Sequence, residues 1–243
     1  MDKIFITGCS SGVGKVMAKN LAGDHHVIVA ARRVERMKKE FKGLKNISIY
    51  KIDLEDIDCT IQVIDRVVKD FGYIPYLINN AGLNINKEVE NLTEAELMKS
   101  FNVNAISPLI IMKKFLPGMK EKNFGRIINV TSGAPLNNMA GYAAYSASKA
   151  ALNSITITAA REYRDSNIKI NLMSPGPVKT EMAPHSVKDP SICLPTVKYL
   201  LNLTEDGPTG KFFWLGYEVP LFAELKGVDW LKGKPSENMR KVI

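Results

Sequence analysis

The chain has 243 residues, an ordinary globular composition and a formal net charge of +8, long enough to bury a sizeable core as one large domain or two small ones. No apolar run approaches the roughly 18 residues that a membrane helix needs, and Met1-Asp2-Lys3 leads straight into an apolar stretch without the parts of a secretion signal. Three scattered cysteines, Cys9, Cys59 and Cys193, with no CxxC, argue against a disulfide framework or a zinc site and suit a reducing cytoplasm.

The first apolar run, Lys3 to Thr7, reads as a buried strand. Gly8-Cys9-Ser10-Ser11-Gly12-Val13-Gly14 follows, and Lys15 to Leu21 has helical character. Strand, glycine-rich turn and helix form the context of a dinucleotide loop, in which glycines let the backbone approach a pyrophosphate and a helix N-terminus supplies N–H groups. Gly8, Ser10, Ser11, Gly12, Val13 and Gly14 are therefore candidate cofactor contacts, although the spacing is G-x-x-x-G-x-G and a plain turn is the alternative.

A second strand, His26 to Ala31, ends without the acid that would grip the ribose hydroxyls of NAD. Arg32 and Arg33 come next. An arginine there can pair with a 2′-phosphate, which predicts NADP(H) over NAD(H); a solvated basic helix start is the competing reading. Between Arg32 and Lys45 lie seven basic residues against two acids, so this window carries much of the net charge. Only Phe41 interrupts it with an aromatic ring, and no stacking platform for nucleic acid is apparent. His25 and His26 are read as loop and strand-edge residues.

Asn46 to Ile52 makes a third strand, ending at Asp53-Leu54, where Asp53 faces an adenine edge or serves as a turn acid. Cys59 to Phe71 is an amphipathic helix, and Tyr76-Leu77-Ile78 a fourth strand leading into Asn79-Asn80-Ala81-Gly82. The small residues there admit close backbone approach, and the asparagines can tie strands together. Thr93 to Glu96 is a capping box opening one long helix that carries Asn104 in its interior, where asparagine is a mediocre helix former. Gly125 to Val130 is a fifth strand ending at Thr131-Ser132; Tyr145 to Tyr163 is helical; Ile168 to Met173 is a sixth strand before Ser174-Pro175-Gly176-Pro177-Val178-Lys179-Thr180. Strands alternating with helices specify an α/β fold: a doubly wound, Rossmann-type parallel sheet with helices on both faces, in one domain spanning residues 1–243.

Tyr145 and Lys149 stand four apart on their helix, so they share a face. A fixed ammonium beside a phenol favours the phenolate and lowers its pKa. Ser132, at the carboxyl end of a strand, is placed to face a ligand.

Taken together, Thr7-Gly8-x-x-x-Gly12-x-Gly14, Asn79-Asn80-Ala81-Gly82, Asn104, Ser132, Tyr145-x-x-x-Lys149 and Pro175-Gly176-x-Val178-x-Thr180 resemble the short-chain dehydrogenase/reductase family over about Ile4 to Phe213. Tyr145 follows Ser132 by 13 positions and Asn104 by 41, as in that family. The resemblance implies that Ser132 polarises a substrate carbonyl, that Tyr145 exchanges the proton as hydride leaves the nicotinamide, and that Lys149 holds the ribose and depresses the Tyr145 pKa. It further implies that Asn104 positions a water, that Asn80, Ala81 and Gly82 lie along the adenosine ribose, and that Val178 and Thr180 hold the carboxamide. Pro175 and Gly176 belong to the same cofactor-facing turn. Expected activities are NADPH-dependent carbonyl–alcohol interconversion, or more narrowly 3-oxoacyl-thioester reduction; a non-catalytic NADP-binding sensor and a basic nucleic-acid binder are readings from other classes. A homodimer or homotetramer is implied.

Two regions depart from the pattern. Glu181 to Pro195 stands where the family carries a lid; Met182 and His185 are candidate pocket residues there, or loop residues only. Glu224 to Ile243 has no assigned counterpart and is expected to be a tail packed on its own subunit or a neighbour.

Overall fold

The computed structural model describes residues 1–221 and Lys232, so all but one residue of the expected tail at 224–243 lies outside the described residues. In chain order the strands are β1 (Lys3–Thr7), β2 (His26–Ala31), β3 (Ile47–Lys51), β4 (Tyr76–Asn79), β5 (Gly125–Val130), β6 (Ile168–Ser174), β7 (Phe212–Trp214) and β8 (Tyr217–Val219). The helices are α1 (Gly12–Leu21), α2 (Val34–Glu40), α3 (Ile57–Phe71), α4 (Glu94–Phe101), α5 (Ser107–Glu121), α6 (Ala134–Asn137), α7 (Ala143–Glu162) and α8 (Leu194–Leu201).

All eight strands form one sheet in the order β3-β2-β1-β4-β5-β6-β7-β8. The sheet is parallel except at β8, which returns antiparallel to β7, with Phe213 opposite Glu218. The expected parallel, doubly wound sheet is present, with one antiparallel strand added at this edge: Leu215 and Gly216, both at positive φ, make a tight two-residue connection of the kind that joins antiparallel strands.

Side chains alternate across the strands as a period of two requires. Ile4, Ile6, Val27 and Val29 pack on one face with Val13 and Met17 of α1, Met37 of α2 and Val197 and Leu200 of α8. Phe5, Ile28, Leu77 and Ile127 pack on the other with Ile64 and Val67 of α3, Ile111 and Phe115 of α5 and Ala159 of α7. Because both faces are covered, the strands read as nearly continuous apolar runs, which is why their bounds were legible.

The long helix expected from Thr93 is broken in two. The capping box is present: the Glu96 N–H donates to Thr93 Oγ1 at 3.2 Å and the Thr93 N–H to Glu96 Oε2 at 3.1 Å. After α4, however, Asn102–Ile106 form a single π turn, in which the Ser107 N–H reaches back to the Asn102 carbonyl. The cause lies one turn further on. Pro108 has no N–H to give the carbonyl of Asn104 four residues earlier, so the regular ladder cannot close there. The wider turn redirects the Asn104 side chain away from the helix's own ladder.

Strand order reverses between β1 and β4, and the carboxyl ends of β1 to β6 open on one side of the sheet. Crevices at such a reversal are where open α/β sheets bind ligands.

Candidate active site

A cleft of about 470 Å³ runs across the carboxyl ends of the strands, within the usual range for small-molecule sites. Its walls carry Gly8 and Ser10 to Gly14 after β1, Arg32 and Arg33 after β2, Asp53 and Leu54 after β3, Asn80, Ala81 and Gly82 after β4, Ser132 after β5, Tyr145 and Lys149 on α7, and Pro175, Gly176, Val178 and Thr180 after β6. Asn104 is fully buried behind the wall.

The glycine loop is held tightly against β4. Gly8 has φ +76°, and a Cβ there would lie 2.8 Å from the Ala81 Cα; a Cβ on Gly14 would lie 2.5 Å from the Gly8 carbonyl oxygen. Thr7 locks the junction, its Oγ1 accepting from the N–H groups of Asn80 and Ala81, each at 3.0 Å. The Asn80 amide donates to the Thr7 carbonyl at 2.9 Å, and Asn79 Nδ2 donates to Asn129 Oδ1 at 2.8 Å. The asparagines thus tie β1, β4 and β5 together, as the sequence led us to expect. Cys9, inside this loop, donates to the Ile6 carbonyl at 3.2 Å, and burial pushes its thiol far above the usual range.

The loop fits a dinucleotide's phosphates. Helix α1 begins at Gly12 with no side chain capping it and no acid in its first turn, so its positive end and free N–H groups face the cleft without a competing anion. The basic end is less open than the sequence suggested. Arg32 is exposed, and its guanidinium makes no hydrogen bond or ion pair among the described residues. Arg33 is engaged: Nε donates to Ser10 Oγ at 3.1 Å, one terminal nitrogen to Ser11 Oγ at 2.9 Å and the other to Glu181 at 2.9 Å. Asp53 accepts from the Glu55 N–H at 3.1 Å, a turn role, while still lining the cleft. Its neighbour Glu55 pairs with Lys99 at 2.8 Å.

At the other end, Ser132, Tyr145 and Lys149 converge. Tyr145 lies in the first turn of α7 and Lys149 one turn on, with the Lys149 ammonium 6.0 Å from the centre of the phenol ring. Lys149 is buried and donates to the Val130 carbonyl at 2.7 Å; burial lowers its pKa to about 8. In the protein chain by itself, the Tyr145 hydroxyl is shifted upward rather than acidified. Burial pushes the Tyr145 hydroxyl up from its ordinary value, hydrogen bonding from Ser132 pulls it down, and Tyr142 pushes it up. The Lys149 ammonium bonds to the Val130 carbonyl rather than to the phenol oxygen.

Asn104 holds the floor of this end. Its Oδ1 accepts from the Leu83 N–H at 2.8 Å, and its Nδ2 donates to the Leu83 carbonyl at 2.8 Å and to Ser148 Oγ at 2.9 Å. A Cβ on Gly82 would lie 3.5 Å from Asn104 Oδ1 and 3.7 Å from Lys149 Nζ, so both groups flank Gly82.

Beyond β6, Val178 is buried and Thr180 turns back on itself, its Oγ1 accepting from the Ala183 N–H at 3.1 Å. Met182 lines the cleft; His185 is exposed and stands outside it. Glu181 was missed by the sequence reading. The only signal was an acid directly after Thr180 in a chain with a basic run at the end of β2.

The short chain dehydrogenase family profile matches residues 2–191. The chain belongs to that family. Among relatives of this short-chain dehydrogenase, an uncharacterized oxidoreductase of Mycobacterium tuberculosis is 31% identical over 197 residues, covering 76% of this chain but only 58% of the relative's length. A diacetyl reductase of Staphylococcus epidermidis that forms (S)-acetoin is 35% identical over 184 residues, 73% of this chain and 71% of its own. Among solved structures, a metagenomic short-chain oxidoreductase in complex with NADP superposes with TM-score 0.78 at 26% identity, covering 88% of this chain and 96% of that one. A 4-hydroxyisoleucine dehydrogenase complexed with NADH superposes with TM-score 0.83 at 24% identity, over 88% and 96% of the two chains, and shares the fold. No described helix is long and apolar enough to cross a membrane.

Proposed function

We propose that this short-chain dehydrogenase is a cytoplasmic, NADP-linked oxidoreductase interconverting a ketone or aldehyde and its alcohol. The observation that carries the reading is that Ser132, Tyr145 and Lys149 share one cleft with the glycine loop and the α1 N-terminus. When bound, a nicotinamide dinucleotide supplies or accepts the hydride. Gly8 and Ser10 to Gly14 hold its phosphates, Asn80 to Gly82 and Lys149 its riboses, Asp53 and Leu54 its adenine, and Pro175, Gly176, Val178 and Thr180 its carboxamide end. Arg32 and Arg33 take a 2′-phosphate, and the absence of an acid at the end of β2 removes a repulsion against it. The NADP complex of a 26% identical relative supports this preference.

Ser132 donates to the carbonyl oxygen and polarises it. Tyr145 gives that oxygen its proton in reduction and removes it in oxidation. Burial raises the Tyr145 pKa, a direction that favours the protonated phenol of the donor role. Asn104 supports a proton path through its main chain: its side chain is taken up by Leu83 and Ser148, and Pro108 cannot give its carbonyl the regular helical N–H. Self-association as a dimer or tetramer is part of this reading, supported by exposed Met98 on α4 and Leu109 on α5.

The test is a panel of ketones, aldehydes and 3-oxoacyl thioesters, with turnover followed through NADPH absorbance and repeated with NADH. The reading expects turnover of carbonyl substrates with NADPH preferred. Tight NADPH binding without turnover of any carbonyl would favour a sensor, and a clear preference for NADH would remove the arginine argument.

A further inference from the structure

The loop between β6 and α8 crosses back over the cleft, and its anchor is a carboxylate. Its ends are pinned together by the Lys179 N–H, which donates to the Lys188 carbonyl at 2.8 Å. Inside it three consecutive residues span the cleft. Thr180 lies over the glycine loop, its Cγ2 3.1 Å from where a Gly12 Cβ would be, and the Met182 terminal methyl lies 3.8 Å from where a Gly82 Cβ would be. Between them Glu181 reaches the basic end. One of its oxygens takes Arg33 at 2.9 Å and the other takes Arg36. All three nitrogens of the Arg33 fork are thereby committed, two to Ser10 and Ser11 and one to Glu181. Arg33 is a tie between the glycine loop and the crossing loop, and Glu181 is what it ties.

We propose that Glu181 is a cofactor-discriminating residue, which competes from across the cleft for the arginines that a 2′-phosphate would use and thereby couples phosphate recognition to release of the 179–188 loop. This rests on the nicotinamide-dinucleotide reading above. Both carboxylate–arginine contacts are about half exposed, with side-chain exposures of 51% for Glu181, 48% for Arg33 and 37% for Arg36. Exposed pairs of this kind are weak. A phosphate dianion offers the same fork a stronger, bidentate partner. Arg32, with its guanidinium unpaired among the described residues, gives the phosphate a first hold beside the tie. A dinucleotide with a 2′-phosphate draws Arg33 away from Glu181 and frees the loop; one without it leaves the loop pinned.

The experiment compares wild type with Glu181→Gln, using adenosine 2′,5′-bisphosphate and AMP as probes in titration calorimetry. A second readout is the rate of tryptic cleavage after exposed Lys179, measured on the wild-type chain. Removing two exposed ion pairs should tighten the bisphosphate by about three- to tenfold and leave AMP within about twofold. In wild type the bisphosphate, but not AMP, should speed cleavage after Lys179. If wild type holds the bisphosphate more tightly than AMP, but Glu181→Gln binds it no better and cleavage does not respond, the competition is refuted while the NADP reading stands. If wild type makes no distinction between the two probes, the NADP reading falls and this inference with it.

Discussion

The two ends of the cleft are built on opposite principles. At the β4–β6 end Asn104 and Lys149 are buried and bonded, although Asn79 Oδ1, Asn84 Oδ1 and Ser146 Oγ nearby are buried without a partner: Asn104 makes three bonds of 2.8–2.9 Å to Leu83 and Ser148, and Lys149 is 3% exposed with its ammonium on a backbone carbonyl. At the β2 end the polar groups are charged and solvated, with Arg32 unpaired among the described residues and Arg33 and Arg36 sharing one exposed carboxylate. A buried network fixes geometry, because any group left unpaired costs its full desolvation. A solvated cluster costs the fold little and can exchange partners. The division suits the proposed reading, in which a proton donor is held still at one end and an anion admitted at the other.

The buried end is most sensitive at Asn104. Asn104→Ala should destabilise the fold by about 3 kcal/mol, since it leaves the half-buried Leu83 N–H and carbonyl unpaired and takes one of three bonds from buried Ser148, which keeps Ser100 and the Tyr145 carbonyl. Urea unfolding measures this, and a loss below about 1 kcal/mol would show that the network carries no stability.

Lys149 comes next, and its effect has a sign that depends on pH. Its pKa falls from an ordinary value of 10.5 to about 8 in the folded chain, so between those values the unfolded chain binds more protons. Stability therefore rises as pH goes up through this window, and below about pH 8 the buried ammonium is a burden on the fold. Comparing urea unfolding of wild type with Lys149→Met, wild type should gain on the variant by on the order of 2–3 kcal/mol between the two ends of the window. A difference flat in pH would mean that Lys149 titrates as an ordinary surface lysine.

The smallest effect belongs to the solvated end. Arg36→Gln removes one exposed pair with Glu181 and should change unfolding free energy by about 0.5 kcal/mol or less, fading with added salt. A loss of several kcal/mol would place this end among the rigid parts of the molecule.

How far the sequence revealed each end follows from the same physics. Strands buried on two faces announce themselves as apolar runs, so β1, β2 and β5 were read to the residue, while the glycine loop was legible from its place between strand and helix and the Tyr145–Lys149 pair only from its company with Asn104, Ser132 and the other motifs. Burial was not legible. The spacing gave Tyr145 a charged neighbour, but only the fold showed that neighbour turned to Val130 and the phenol desolvated. The π turn was hidden because its cause, Pro108, lies four residues beyond Asn104, although an asparagine inside a helix was already out of character. Arg126, which in sequence is a charged residue in an otherwise apolar strand, is 1% exposed, with its guanidinium on the carbonyls of Leu203 and Asn167 at 2.9 and 2.7 Å. Glu181 escaped notice because it meets Arg33 across 148 positions of chain.

The most direct measurement is made on Tyr145→Phe, which keeps the ring and removes only the hydroxyl. NADPH affinity is measured by titration and turnover on any carbonyl substrate that wild type accepts. Cofactor affinity should stay within about twofold of wild type and turnover should fall by about a hundredfold or more, the scale of a lost proton donor. A variant that binds NADPH as before and still turns over at a rate near wild type would contradict the proton-donor role of Tyr145.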